Sequence, residues 1–272
     1  MDSAQFQLHA DIEDRHWWFV GRRRILRRLI AEALPPSSRN TIVDVGCGTG
    51  GNIASLADRY RCVGIDTSAE AIELARRRFP QVQFLAGYAP ADLGALAAEA
   101  NLFLLTDVLE HVADDYAMFS ELLAAASPGS HFLVTVPADE SLWSEHDESF
   151  GHYRRYDRQR LEGVWAGLPV TTRLVSYFNA RLLPIVRLVR ARNRRRGHAA
   201  GQVGTDFWLP SRPMNALLTS FFAGEARRLT AVMRGKRRAY RAGASLVALL
   251  RREQGDIDVR RKPDGLPPDH RQ

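Results

Sequence analysis

Cysteine is almost absent: Cys47 and Cys62 are the whole complement. No disulfide framework and no zinc-type Cys spacing can be assembled from two such residues. A reducing compartment is therefore the expected setting. Long hydrophobic runs are missing too. The apolar stretch from Ala180 to Val189 is interrupted by Arg181, Pro184 and Arg187, well short of the roughly 20 apolar residues that a membrane-crossing helix needs. The segment from Met1 to His9 is polar and carries no apolar centre of a secretory leader. A cytoplasmic protein is the expectation. Lysine is nearly unused, with Lys236 and Lys262 alone among arginines. No internal repeat is present.

What remains is 272 residues, 45% hydrophobic and 25% charged, a globular composition with enough length for one α/β domain and a smaller appendage. The net charge of +7 suits an anionic surface or substrate, and equally an unspecialised basic surface. Basic strands interleaved with aromatics, or a recognisable RNA module, are not found, so nucleic acid is not expected as a partner.

From Thr41 onward, short apolar segments alternate with amphipathic ones. Strands are expected at 41–45, 62–65, 82–85, 101–106, 131–136, 169–177 and 244–250. Helices are expected at 10–34, 52–60, 68–79, 115–126, 158–166 and 214–233. Such alternation predicts an α/β protein with a doubly wound, mostly parallel, seven-stranded sheet and helices on both faces. Ligands in such sheets sit beyond the strand C-termini, near the point where strand order reverses. Residues 138–157 read as a polar and aromatic loop, and 191–213, with Arg192, Arg194, Arg195 and Arg196, as a linker.

The segment Val43-Asp44-Val45-Gly46-Cys47-Gly48-Thr49-Gly50-Gly51 runs a strand into glycines and then a helix. Glycines there permit a tight turn and close approach of a ligand to the backbone. Asp66 ends the next strand, twenty residues after Gly46, a spacing that suits a carboxylate on ribose hydroxyls. Gly46, Gly48 and Gly51 also fit G-x-G-x-x-G, so a nicotinamide dehydrogenase is a rival. Asp44 argues against it, because a pyrophosphate is disfavoured beside a carboxylate, whereas a cationic ligand is favoured.

VDVGCGTG (43–50) resembles the first motif of the class I S-adenosylmethionine (SAM)-dependent methyltransferases. GIDTSAEAIELARRR (64–78) resembles their second strand and helix, and TDVLEHVADD (106–115) their fourth-strand motif. DRHWWFVGRRRIL (14–26) and DESFGHYRRYDRQRL (147–161) resemble one bacterial branch that acts on small molecules, polyprenyl-quinone precursors or envelope glycans. The resemblance implies a Rossmann-like SAM-binding core at 37–177. Around it are expected an N-terminal helical lid at 1–36, a helical insertion or cap with the last core strand at 178–250, and a frayed tail at 251–272. It implies that Gly46, Cys47, Gly48 and Gly50 line the cofactor with Asp44 in support. Asp66 with Thr67 or Ser68 would take the ribose, Gly87 and Tyr88 would edge the adenine, and Asp107 and Val108 would border the sulfonium. The family commonly has an acid next to the adenine-side glycine; Tyr88 stands there instead, so a backbone carbonyl or Asp92 would have to serve.

Methyl transfer needs an aligned acceptor, exclusion of water and often a base. His111 and His152 are the candidate bases, with His146 as a third. Trp17, Trp18, Arg22, Tyr153, Arg154 and Arg155 are candidates for acceptor contact. Asp107, Glu110, His111 and His152 resemble a metal motif of some relatives, although Asp stands where that motif has Glu, and no metal is expected. The implied activity is methylation of a small-molecule metabolite, on oxygen before nitrogen or carbon, releasing S-adenosylhomocysteine. Two alternatives stay open: a peripheral enzyme at the inner membrane surface acting on a polyprenyl-linked glycan or quinone precursor, and a non-catalytic SAM-fold subunit. Tyr177 to Arg196 mixes apolar residues with Arg at helical spacing, which suits an interfacial helix on anionic lipid or a gate for substrate. Arg227, Arg228, Arg234, Lys236, Arg237, Arg238 and Arg241 add a second basic cluster, read equally as a dimer face; monomer and homodimer are both compatible.

Overall fold

The computed structural model describes residues 3–195 and 209–259. Seven strands form its centre: β1 (Ser37–Val45), β2 (Tyr60–Asp66), β3 (Gln83–Ala86), β4 (Leu102–Thr106), β5 (His131–Pro137), β6 (Val170–Phe178) and β7 (Ser245–Arg252). They lie in one sheet in the order β3-β2-β1-β4-β5-β7-β6. The first five are parallel, and β7 runs antiparallel to both β5 and β6. Strand order reverses between β1 and β4, so Val45 and Thr106 end side by side at the switch point.

Period-two alternation divides the strand residues between two cores. Val43, Val45, Phe103, Leu105, Phe132 and Val134 face α6 (Asp115–Ala125), where Phe119 packs edge-on to Phe132 at 5.4 Å. Ile42, Leu104, Leu133, Val247 and Leu249 face α2 (Trp17–Ala33) through its Ile25, Leu26, Leu29 and Ile30. Asp44 has the parity of Ile42 and so lies on the α2 side, in the middle of an apolar layer.

The other helices are α1 (Ser3–Ile12), α3 (Gly51–Ala54), α4 (Ala69–Arg78), α5 (Ala95–Glu99), α7 (Glu145–Ser149), α8 (Arg158–Gly163), α9 (Leu183–Arg195), α10 (Arg212–Ala223) and α11 (Glu225–Met233). The α2 helix packs on α10 and α11, and Gly21 lies so close to Phe222 that a Cβ there would stand 2.7 Å from the ring.

Several expected boundaries change. The helix expected over 10–34 is two helices, because the buried His16 leaves helical geometry and its side chain accepts the Trp18 amide as an N-cap. The helix expected at 52–60 is a single turn, α3, followed by turns. The long helix at 214–233 is divided at Gly224, whose neighbour Glu225 is fully buried and accepts from the amides of Ala180 and Arg181. The polar loop at 138–157 contains α7, and the linker expected from 191 is helical as far as Arg195. Arg196 and the rest of that linker to 208 lie outside the described residues, as does the expected tail beyond 259.

Candidate active site

One half of the cleft is built from backbone. Gly46, Gly48 and Gly50 have φ of +69°, +52° and +84°, a left-handed path that residues with a Cβ adopt at a cost. Their turn is pinned to β2: the amides of Gly46 and Cys47 donate to the Ile65 carbonyl at 2.8 and 3.1 Å. Asp66 ties the next layer together. Its Oδ2 accepts the Gly48 amide at 2.8 Å, and its Oδ1 accepts the Ser68 amide at 2.9 Å. A carboxylate has lone pairs left after two such bonds. A Cβ on Gly48 would meet nothing within 4 Å, whereas one on Gly46 would strike Val108. Open space therefore lies over Gly48. Thr67 is exposed beside it, and burial pushes the Cys47 thiol well above its usual range.

Asp44 is fully buried beneath this loop, and neither of its oxygens has a hydrogen-bond partner. Burial pushes its carboxyl up to about 8; Arg22 pulls it down, and Asp66 and Glu13 raise it further. An unpaired buried carboxylate is costly. A cation at the cleft floor would satisfy it, which fits SAM and does not fit a pyrophosphate. Glu13, missed in the sequence, also serves this half. It accepts from Thr49 Oγ1 at 2.9 Å and pairs with Arg78, whose guanidinium also reaches the Thr49 carbonyl. Beside Gly87, Asp92 reaches back, and its Oδ2 accepts the Tyr88 amide at 2.7 Å. The Tyr88 side chain itself is exposed.

The other half is built from side chains. At the end of β4, Asp107 sits at φ +59°. It pairs with the buried Arg22 and accepts from Thr135 Oγ1 at 3.2 Å. The Arg22 guanidinium stacks over Trp18 at 4.8 Å. Three residues on, Glu110 is fully buried with both carboxylate oxygens unpartnered. Burial, with Asp107 adding to it, pushes its carboxyl well above the usual range. His111 and His152 meet edge to face at 4.7 Å. Burial, then His152, pull His111 down to about 4, and Asp107 opposes them, so the ring is neutral near pH 7.

His152 is fixed by a residue the sequence reading passed over. Its Nδ1 lies 2.9 Å from Oδ1 of Asp147, which has no exposed surface. Asp147 also accepts from Arg155 Nε and Nη2 at 2.8 and 2.9 Å and from the Ser144 amide at 2.9 Å. Burial works against this carboxylate, but His152 and Arg155 outweigh it and hold it below the usual range. Asp147 opens the motif that contains His152, and its spacing from Arg155 was the signal available.

The candidate acceptor residues divide. Trp17 donates its amide to Asn215 Oδ1 and packs edge-on to Phe222. Trp18 lies between Phe19 and Arg22. Tyr153 is partly open, with its amide on the Glu110 carbonyl. Arg154 points inward, donating to the carbonyls of Val112 and Ala113 and pairing with Asp115 at 3.1 Å. Arg22, Arg154 and Arg155 thus all have acidic partners within the chain. His146 lies on α7. Among the described residues, ligand atoms of Glu110, His111 and His152 fall within 4.8 Å of one another, a set able to hold a divalent cation. Asp107, the first position of the resembled metal motif, is not in that set.

Residues 19–184 match the family model of a methyltransferase domain. Trans-aconitate 2-methyltransferases from Azoarcus sp. (strain BH72) and Paracidovorax citrulli (strain AAC00-1) are 36% and 32% identical over 121 and 123 residues. Each match covers 43% of this chain and 46% or 45% of the relative, so the chain spans about half the length of these curated relatives. Among solved structures, the plantazolicin methyltransferase BamL, in complex with a triazolic desmethylPZN analog and SAH, superposes with a TM-score of 0.56. It is 15% identical, over 93% of this chain and 90% of that one. Geranyl diphosphate C-methyltransferase from Streptomyces coelicolor A3(2) gives 0.52 at 14% identity over 83% and 77%. With a matched family model over more than half its length and the glycine loop at the switch point of this sheet, the chain belongs to the methyltransferase domain family and has the class I SAM-dependent methyltransferase fold.

Proposed function

We propose that the protein transfers the methyl group of SAM to an oxygen of a small-molecule acceptor, with Asp147 and His152 as the proton-accepting pair. The observation that carries the SAM reading is Asp44: a buried carboxylate with two unpartnered oxygens beneath an open glycine loop. When bound, SAM supplies a methyl group on a cationic sulfur, a good leaving group. Asp44 would offer the counter-charge, Asp66 would accept from the ribose hydroxyls, and Asp92 would stand at the adenine edge. Thr67 and Val108 would flank these groups.

On the acceptor side, Asp147 holds the proton of His152 on Nδ1 and leaves Nε2 as the basic nitrogen. His152 would take the acceptor's hydroxyl proton as the oxygen–methyl bond forms and the sulfur–methyl bond breaks. His111, kept neutral, adds no opposing charge beside the imidazolium. The trans-aconitate relatives suggest an anionic acceptor. The internal pairing of Arg22, Arg154 and Arg155 favours a neutral hydroxyl instead.

Calorimetric titration with SAM and S-adenosylhomocysteine, with NADH as control, tests the cofactor reading. SAM binding that is lost or greatly weakened in Asp66→Ala and Asp44→Leu is expected. Binding of NADH and not SAM by the folded parent would move the reading to a dehydrogenase; binding of neither would move it to a non-catalytic subunit.

A further inference from the structure

The basic charge of this chain is concentrated in one region. Residues 181–241 hold 15 of the 38 Lys and Arg and only Asp206 and Glu225 of the 31 acids, a net +13. The remainder is therefore net −6, and the overall +7 conceals two parts of opposite sign. A uniformly Arg-rich composition would not divide this way.

The exposed apolar surface falls in the same region. Seven of the nine large hydrophobic side chains exposed among the described residues lie between 185 and 221; Tyr88 and Tyr153 are the others. They follow helical spacing. On α9 they are Ile185, Leu188 and Val189, at i, i+3 and i+4. On α10 they are Met214, Leu217 and Phe221, at i, i+3 and i+7. Leu188 is 70% exposed and Leu217 is 62% exposed. The inner face of α10 is occupied separately, by Thr219 and Phe222. The exposed residues are thus a second stripe, outside the core. Basic and apolar groups touch where the Arg181 guanidinium lies over the Phe221 ring at 5.4 Å.

Neither helix is long and apolar enough to cross a membrane. An apolar stripe on the Arg-rich α9, beside a second on α10 within the same basic region, has the composition of elements that lie in the headgroup layer, where hydrocarbon takes the apolar face and anionic lipid the arginines. A protein partner with an acidic rim would meet the same charge. Against that partner, the stripes are mostly flexible aliphatic side chains with no acidic residue among them, and the stems of neighbouring arginines are able to extend to headgroups. The face also has a route to the site: Arg187 of α9 pairs at 2.7 Å with Asp139, in the segment that leads from β5 to Asp147.

We propose that α9 and α10 form a docking face for an anionic bilayer surface. The inference does not depend on the methyl-transfer reading.

The test is sedimentation of the full chain with phosphatidylcholine vesicles, with and without phosphatidylglycerol, at low and high salt. Leu188→Gln with Leu217→Gln and Phe221→Gln would be run beside the parent. The parent is expected to bind only the anionic vesicles and to release in high salt. The triple variant is expected to bind at least about tenfold more weakly at an unchanged Tm. Absence of binding by the parent would overturn the proposal. Equal binding by parent and variant would also overturn it, because charge alone would then act and the stripes would be idle. A lowered Tm in the variant without vesicle binding by the parent would place the stripes inside the fold. A concentration-dependent dimer by light scattering, abolished in the variant and unaccompanied by vesicle binding, would assign the face to a second copy of this chain.

Discussion

The two halves of the cleft are built on opposite plans. The cofactor half consists of left-handed glycines, backbone amides and one orphan carboxylate, Asp44. It is open and incompletely satisfied. The half proposed for the acceptor consists of charged side chains that mostly neutralise one another, Arg22 with Asp107, Arg155 with Asp147, and Asp147 with His152, and leaves Glu110 as its own unpartnered carboxyl. A cofactor common to many enzymes can be held by backbone, which any sequence supplies. An individual acceptor needs side chains at fixed positions, and fixing them consumes partners.

The contrast predicts where damage appears. Asp147→Ala leaves Arg155 buried without its counter-charge, and stability should fall by about 3–5 kcal/mol in chemical denaturation. A denaturation midpoint equal to the parent's would show that the acceptor half is not clamped as described. Asp66→Ala acts on the other half. On the proposed reading it removes charged hydrogen bonds to ligand, so the SAM Kd should rise about 100-fold while the fold survives. A comparable loss of stability in both variants would erase the distinction between the halves.

Gly48→Ala is a finer probe. Its Cβ meets nothing in the protein, so the free enzyme should lose only the left-handed strain of about 1–2 kcal/mol. SAM binding should fall by tenfold or more if the ligand fills that space. Unchanged affinity would move the ligand elsewhere.

Proton linkage should give the smallest signals, and the two halves should differ in sign. Asp44 has its folded value raised from 3.8 to about 8. Its contribution to stability is full below pH 3.8 and is lost as pH rises through 8. Asp44→Asn should flatten that decline. A bound cation favours the ionised form, so SAM affinity should increase from pH 6 to 8 with release of a proton. His111 has its folded value lowered from 6.5 to about 4. Its contribution is present above pH 6.5 and is lost as pH falls through 4. His111→Gln should flatten the acid limb alone. Calorimetric binding in buffers of different ionisation enthalpy, and denaturation across pH 3.5–9, would read both.

The same division decided what the sequence revealed. The strands and the glycine loop were legible because strand alternation and left-handed turns are local demands. Asp66 was legible through its spacing from Gly46. The acceptor half draws on residues 22, 107, 110, 135, 147 and 152, and no local pattern joins Arg22 to Asp107 across 85 positions. Arg154 and Arg155 stand as candidates for acceptor contact in the sequence because adjacent arginines give no sign of burial; in the fold both bond carbonyls and acids of their own chain. The helix expected over 10–34 failed because its apolar period continues through His16, where capping geometry overrides periodicity. The opposite charges of residues 181–241 and of the rest were visible all along, hidden only by the net figure.

The contact of Gly21 with Phe222 sets a timetable for synthesis. The α2 helix leaves the ribosome carrying Arg22 for the site, yet the ring that closes on it comes roughly 200 residues later. At bacterial or slower elongation rates of about 5–20 residues per second, that is a wait on the order of 10–40 s. For that interval the apolar face of α2 has no C-terminal cover, and the nascent chain should be a client for whatever shields exposed helices at the exit tunnel.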